Sequence, residues 1–253
     1  MRRLEGLMEL AGSDEFKSLN IGFMLDEGQA STSEKFRVFF ADRLVWRLII
    51  KAFGMPGHGS RMFDNSAMEN LMKSVEILTK YREGHFDLVK AGLAVNSEGE
   101  SCVYESWYSF AYEAEAGFDI RIPPAVDPEL LIKRIVNEWE PHYRNMTYET
   151  TWGVLMMTAT DDTNAWWGVF EKAIISAGGT LSKPEILASS TDARNIRELG
   201  IPTFGFSPMT NTPILLHEHI EYLEETVYLR GIKIYESVIK ALSSFEGGNH
   251  EST

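Results

Sequence analysis

The order of elements between residues 44 and 157 constrains this chain most, because it reads strand, helix, two strands, helix, strand. That is the order of a ferredoxin-like α+β sandwich, in which two helices cover one face of a four-stranded sheet. Residues 45–53 are β-branched or aromatic at most positions and predict the first strand. The run Gly54-Met-Pro-Gly-His-Gly-Ser60 has to be a loop. Asn65 or Ser66 then caps a helix whose apolar stripe is Met68, Leu71, Met72, Val75, Ile77 and Leu78. Strands are expected at 103–112 and 114–122, the second stopped by Pro123-Pro124. Asp127-Pro128 opens another helix, with Leu130, Leu131, Ile135, Val136 and Trp139 inward, and 146–157 supplies the last strand.

The flanks read as α/β. Residues 7–19 predict the end of a helix and a loop, 21–25 a short strand with Asp26-Glu27-Gly28 beyond its carboxyl end, and 36–40 a second strand. After residue 157 come a helix at 165–177 ended by Gly178-Gly179 and a strand at 184–189. A helix at 192–199, a strand at 201–206 and a long amphipathic helix at 218–245 complete the chain. The Met-rich helix and Trp166-Trp167 are expected to be core.

Composition narrows the partners. Lys and Arg total 24 against 37 Asp and Glu, a formal net charge of -13 over 253 residues. An acidic surface of this size repels phosphate backbones and anionic lipid, so neither nucleic acid nor membrane is an expected partner. The single Cys102 excludes an internal disulfide and a multi-cysteine zinc knot. Met1-Arg-Arg-Leu-Glu-Gly6 has no apolar core of a signal peptide, and a cytoplasmic location is the expectation.

Three clusters of chemically competent residues fall at loop positions. Asp26-Glu27 stands where α/β sheets bind ligands, and Glu is a suitable oxygen donor to zinc; a solvated turn is the alternative. His58 sits among glycines that let a ligand approach, or is an ordinary surface histidine. Leu216-His-Glu-His-Ile-Glu221 differs from His-Glu-x-x-His in spacing. On a helix His217 and Glu221 would share a face, although a polar helix start accounts for the same residues.

Seven strings occur in order along the chain: Leu25-Asp-Glu-Gly28, Gly54-Met-Pro-Gly-His-Gly-Ser-Arg61, Gly117-Phe-Asp-Ile-Arg121, Thr160-Asp-Asp-Thr-Asn-Ala-Trp-Trp167, Thr191-Asp-Ala-Arg194, Gly205-Phe-Ser-Pro-Met209 and Leu215-Leu-His-Glu-His219. Together they resemble the aminoacylase family of zinc-dependent N-acyl-L-amino-acid amidohydrolases, within the aminoacylase/carboxypeptidase metallopeptidase superfamily. The resemblance implies an α/β fold: a partial catalytic α/β domain (1–43 and 158–253) with an inserted ferredoxin-like α+β lid, the dimerisation domain (44–157).

By that likeness two zinc ions serve each site, with Glu27 a ligand of one and His217 a ligand of the other. His58 would reach across a homodimer, paired through the lid, to stabilise the oxyanion in the partner's site. Arg121 and Arg194 would hold the carboxylate of an N-acyl amino acid substrate, and Gly205 to Ser207 would line the pocket. Family members carry further metal ligands and the general base in an amino-terminal part without counterpart here, since the first histidine of this chain is His58. The expectation is therefore half a metal site, inactive alone. Tyr108 stands where the family has a substrate-contacting Asn. The rival expectation is a non-catalytic dimerisation module pairing through the lid.

Overall fold

The computed structural model describes residues 3–55, 58, 64–91, 102–109, 113–122, 127–139, 146–150 and 156–246. The chain divides into two compact units, Met1–Asp42 with Leu155–Thr253, and Arg43–Val154. Helices, sheets and their order make this a mixed α/β protein.

The first unit opens with α1 (Arg3–Gly12) and α2 (Asp14–Ser18), so the expected loop near residue 14 is a second short helix capped by the Ser13 hydroxyl. Its sheet has four strands, β1 (Met24–Asp26), β2 (Val38–Asp42), β7 (Glu185–Leu187) and β8 (Thr203–Phe206), in the order β1-β8-β2-β7. β1 runs parallel to β8 and β2 parallel to β7, while β2 and β8 are antiparallel. The sheet is buried on both faces, as the unbroken burial of β8 requires.

On one face lie α5 (Ala165–Ser176) and α7 (Glu225–Ser243), enclosing Phe36, Val38, Phe170, Ile174, Phe204, Phe206, Ile234 and Val238. Phe170 meets Phe204 and Phe206 at ring-centroid distances of 5.5 and 5.1 Å. Trp167 packs against this core, and Trp166 stacks on Phe23. The short α6 (Ala193–Glu198) contacts β1, β2 and β8.

Several boundaries differ from the sequence expectation. β1 begins three residues later than expected and includes Asp26, whose backbone pairs with Gly205. Phe36 joins Leu181 in an isolated bridge instead of entering β2. α7 begins at Glu225, not at residue 218: 215–221 forms two successive turns, with Glu218 N–H bonded to Leu215 O and Glu221 N–H to Glu218 O. Residues 216–224 are exposed throughout, so no packing rewards the extra helical turns there.

The second unit contains β3 (Leu44–Phe53), α3 (Ala67–Lys90), β4 (Cys102–Ser109), β5 (Glu113–Ile122), α4 (Pro128–Arg134) continued by a π-helical turn (Ile135–Trp139), and β6 (Met146–Thr150). The sheet order β4-β5-β3-β6 is antiparallel throughout and is that of the ferredoxin-like sandwich. Trp46, Leu48, Ile50 and Ala52 alternate inward and meet Phe118, Ile120 and Ile122 of β5 on the buried face.

Ser66 caps α3, its hydroxyl accepting from Glu69 N–H. The buried stripe of this helix is not the expected one: Met68 and Met72 are 40% and 54% exposed, while Asn70 and Ser74 are buried beside Leu71, Val75 and Leu78. The Ser74 hydroxyl donates to Trp139 O, which makes a polar side chain acceptable under the sheet. Leu130 and Val136 also face outward, leaving Leu131, Ile135 and Trp139 as the buried row, four residues apart. The last strand stops at Thr150; residues 156–157 carry no strand, and 151–155 lie outside the described residues. The Pro123-Pro124 stop and most of the glycine-rich loop around His58 lie there as well.

Candidate functional site

Two strand ends come together in the first unit because two glycines leave no bulk between them. A Cβ on Gly205 would stand 2.8 Å from Glu27 O, and one on Gly28 would stand 2.8 Å from Ser207 N. The Gly28 N–H donates to Ser207 Oγ at 3.0 Å. Glu27, Gly205 and Ser207 are thereby neighbours at the carboxyl ends of the parallel pair β1 and β8, where α/β sheets expose backbone for ligands.

Asp26 adds the fourth residue to this group. One oxygen of its carboxylate accepts from Glu27 N–H at 2.9 Å, and the other from Ala193 N–H at 2.7 Å. The turn that precedes α6, with Arg194 at its start, is therefore fastened to the end of β1. Asp42 holds the same turn from β2, accepting from Thr191 N–H at 2.9 Å and Thr191 Oγ at 2.8 Å. Its other oxygen lies 3.3 Å from Arg197 Nη1, an ion pair whose two side chains are 3% and 2% exposed. Burial pulls the Arg197 guanidinium below its ordinary value, and Asp42 opposes this. Arg197 also donates to Thr203 O at 3.1 Å.

The electrostatic consequence falls on Glu27. Partial desolvation holds its carboxyl above the usual range, and repulsion from Asp26, Asp192 and Asp42 pushes the same way. A carboxylate among three others is short of positive charge. Arg194 is half-buried and makes no ion pair with any described residue.

The other candidates are placed differently. His217 is exposed, in a left-handed turn with φ 68°, and does not share a helix face with Glu221. Arg121, in the second unit, is already engaged: its Nε and Nη2 reach the two oxygens of Asp119 at 2.5 and 3.0 Å. An incoming carboxylate there competes with one inside the chain. His58 is exposed, with its flanking residues outside those described. Tyr108 lies on β4 with its backbone opposite Glu115, and its side chain is outside the description.

Zinc in a catalytic site takes about three protein ligands. Among the described residues no group of three His, Cys, Asp or Glu side chains is arranged to hold a metal ion. The donor set described therefore does not fit a complete zinc site. No described helix is long and apolar enough to cross a membrane.

Nothing local in the sequence shows that Asp26 and Asp42 bridge to the turn before α6. Asp26 reads as one of two adjacent acids, and Asp42 as the end of a strand. Their partners at Thr191 and Ala193 are 149 and 167 residues away.

Residues 6–241 match peptidase family M20/M25/M40. The chain is 37% identical over 262 residues to aminoacylase-1 of Dictyostelium discoideum, covering 96% of this chain and 64% of that protein. It is 37% identical over 239 residues to aminoacylase-1A of Rattus norvegicus, covering 91% of this chain and 58% of that protein. This chain thus spans about six-tenths of the length of these relatives. Among solved structures it resembles an M20 family metallo-carboxypeptidase from Sulfolobus solfataricus, with a TM-score of 0.64 at 13% identity, over 93% of this chain and 67% of that one. The match across nearly all of its length, together with the shared fold, establishes that the chain belongs to peptidase family M20/M25/M40.

Proposed function

We propose that this chain provides part of an aminoacylase-like amidohydrolase acting on N-acyl-L-amino acids. The gathering of Glu27, Gly205, Ser207 and the Arg194 turn around Asp26 carries this reading. Similarity to proteins named aminoacylase-1 supplies the reaction class. In this proposal Glu27 and His217 are ligands to separate zinc ions, and Arg194 holds the substrate carboxylate beside Gly205 and Ser207. Arg121 takes part by exchanging Asp119 for substrate. His58 stabilises the oxyanion in the partner subunit of a homodimer formed through the 44–157 lid. Glu27 and His217 fall short of a full ligand set, so hydrolysis depends on donors beyond the described residues.

Metal analysis and assay of the 253-residue chain on N-acetyl-L-methionine test this. Alone, the chain is expected to retain less than one zinc per molecule after dialysis and to show no turnover. Adding the amino-terminal portion of Dictyostelium aminoacylase-1 that lies outside the match should restore both. Turnover by the chain alone at about 10 per second would refute the requirement for further donors. Failure of the supplemented chain to hydrolyse any N-acyl amino acid would refute the reaction class.

One observation favours a second reading, a non-catalytic dimerisation module. Met68 and Met72 lie one turn apart on α3 and are exposed, an apolar strip suited to a subunit contact. Light scattering on the chain and on Met72→Lys separates the readings: a dimer abolished by the substitution, with no rescue of hydrolysis, supports the module.

A further inference from the structure

We propose that the first unit carries a binding site for a small phosphate monoester, formed by Lys35 and Arg230. Both residues line a hollow of about 640 Å³, with Ser33, Glu34, Thr180 and Asn211 around them. The hollow is open to solvent, with Ser33, Glu34, Lys35, Asn211 and Arg230 all exposed, so a ligand there would be held at the surface.

The walls are fixed by backbone hydrogen bonds between distant segments. Asn211 N–H donates to Ser33 O at 2.9 Å, Thr212 N–H to Ser31 O at 2.9 Å, and Phe36 N–H to Thr180 O at 2.8 Å. Ser33 Oγ lies 3.1 Å from Ser31 Oγ and accepts from Lys35 N–H at 3.3 Å. Arg230 is held by one contact on each side. Its Nη2 donates to Gly178 O at 3.3 Å, and its Cζ lies 5.4 Å from the centroid of the Phe36 ring. A guanidinium has five N–H donors, and this arrangement uses one of them.

Two cations, Lys35 and Arg230, line the hollow in a chain where acidic residues outnumber Lys and Arg. With 37 acidic residues for 24 Lys and Arg, carboxylates are in surplus. Arg37, Lys51, Lys73 and Arg197 are each paired with one, whereas Lys172, Arg194 and Lys233 have no ion pair with a described residue. Neither Lys35 nor Arg230 has a carboxylate oxygen within ion-pair distance among the described residues, yet both line the same hollow. A phosphate monoester carries close to two negative charges at pH 7 and three strong acceptor oxygens. The Arg fork and the Lys point charge match these oxygens. Ser33, Thr180 and Asn211 are suited to hydroxyl groups on the body of the ester. Glu34 opposes an anion, and this gives an independent handle.

Calorimetric titration of the 253-residue chain at low ionic strength, with glycerol 3-phosphate and inorganic phosphate as probes and glycerol and acetate as controls, tests the site. Glycerol 3-phosphate should bind saturably and more tightly than inorganic phosphate, and the controls should not bind. Lys35→Gln and Arg230→Gln should each weaken binding about tenfold. Glu34→Gln should tighten it. Arg230 packs on Phe36, so the exposed Glu34 provides the variant that leaves the fold alone. Absence of saturable binding below about 10 mM, equal affinity for inorganic phosphate, or no tightening in Glu34→Gln would each overturn the proposal. None of these residues belongs to the hydrolase reading, so the two fail separately.

Discussion

The Asp26 carboxylate accepts the Ala193 backbone N–H at 2.7 Å, a single bond that joins the end of β1 to the start of α6 across 167 residues. The same carboxylate accepts Glu27 N–H, so the candidate metal ligand and the turn bearing Arg194 are positioned by one side chain. Hydrogen bonds to a charged acceptor contribute more than neutral ones.

Asp26→Ala should therefore destabilise the first unit by about 1–3 kcal/mol. Asp26→Asn should cost less, because its amide oxygen still accepts one of the two bonds. Urea unfolding followed by tryptophan fluorescence measures both, and equal midpoints for all three proteins would show that the bridge contributes nothing.

Asp42 and Arg197 should behave as a coupled pair. Removing one partner of a buried ion pair leaves the other charge uncompensated, at a cost of about 3–5 kcal/mol. Arg197→Met should be the more damaging change, since it also removes the donor to Thr203 O. Asp42→Asn combined with Arg197→Met should cost less than the sum of the two. A strictly additive double mutant would mean that the 3.3 Å approach carries no coupling.

Glu27 predicts a pH dependence of stability opposite to that of most carboxylates. Its pKa in the folded chain is raised above the ordinary value of 4.5, so the folded state holds its proton more tightly than the unfolded state. At neutral pH the ionised group is a net cost to folding. That cost is relieved as pH falls through the raised value, and it is gone below the unfolded one. In the presence of a chelator, Glu27→Gln should raise the midpoint of thermal unfolding at pH 7 and leave it unchanged near pH 4. A lower midpoint at pH 7 would show that Glu27 has a stabilising partner.

Gly205→Ala should be costly, because the new Cβ meets Glu27 O at 2.8 Å and Phe39 Cβ at 3.3 Å. Overpacking of this kind costs about 1–3 kcal/mol. Gly84, on α3, has nothing within 4 Å of the corresponding position. Gly84→Ala should stabilise by about 0.5–1 kcal/mol, as an exposed helical site allows. Denaturation midpoints moving in the same direction for the two variants would contradict the close approach at Gly205.

Element types were legible in the sequence where the pattern was long. The ten-residue alternation in β5 and the Asp127-Pro128 helix start are local signals, and both elements formed. Local signals misplaced the inner face of α3, because hydrophobicity favoured Met68 and Met72 over Asn70 and Ser74. Ser74 is buried because Trp139 O is there to accept its proton, and that carbonyl lies 65 residues further on. The helical reading of 218–224 failed for a related reason. Its polar residues suit the start of a helix, but nothing packs on them, and isolated turns are not self-supporting.

Patterns along the chain were enough for the ferredoxin-like order of the 44–157 segment, for the acidic balance, and for finding side chains whose chemistry suits a metal or carboxylate ligand. Those are properties of neighbours along the chain: periodicity, turn residues and side-chain chemistry. Tertiary structure decided which of these residues meet. Glu27 stands beside Gly205 and Ser207 because two glycines permit backbones to approach to less than a side chain's width. The turn before Arg194 is tied to the ends of β1 and β2 through carboxylates far away in sequence. Arg121 is tied to Asp119 instead, two positions away on the same face of a strand. Such contacts depend on the distance between segments in space, which spacing along the chain does not specify.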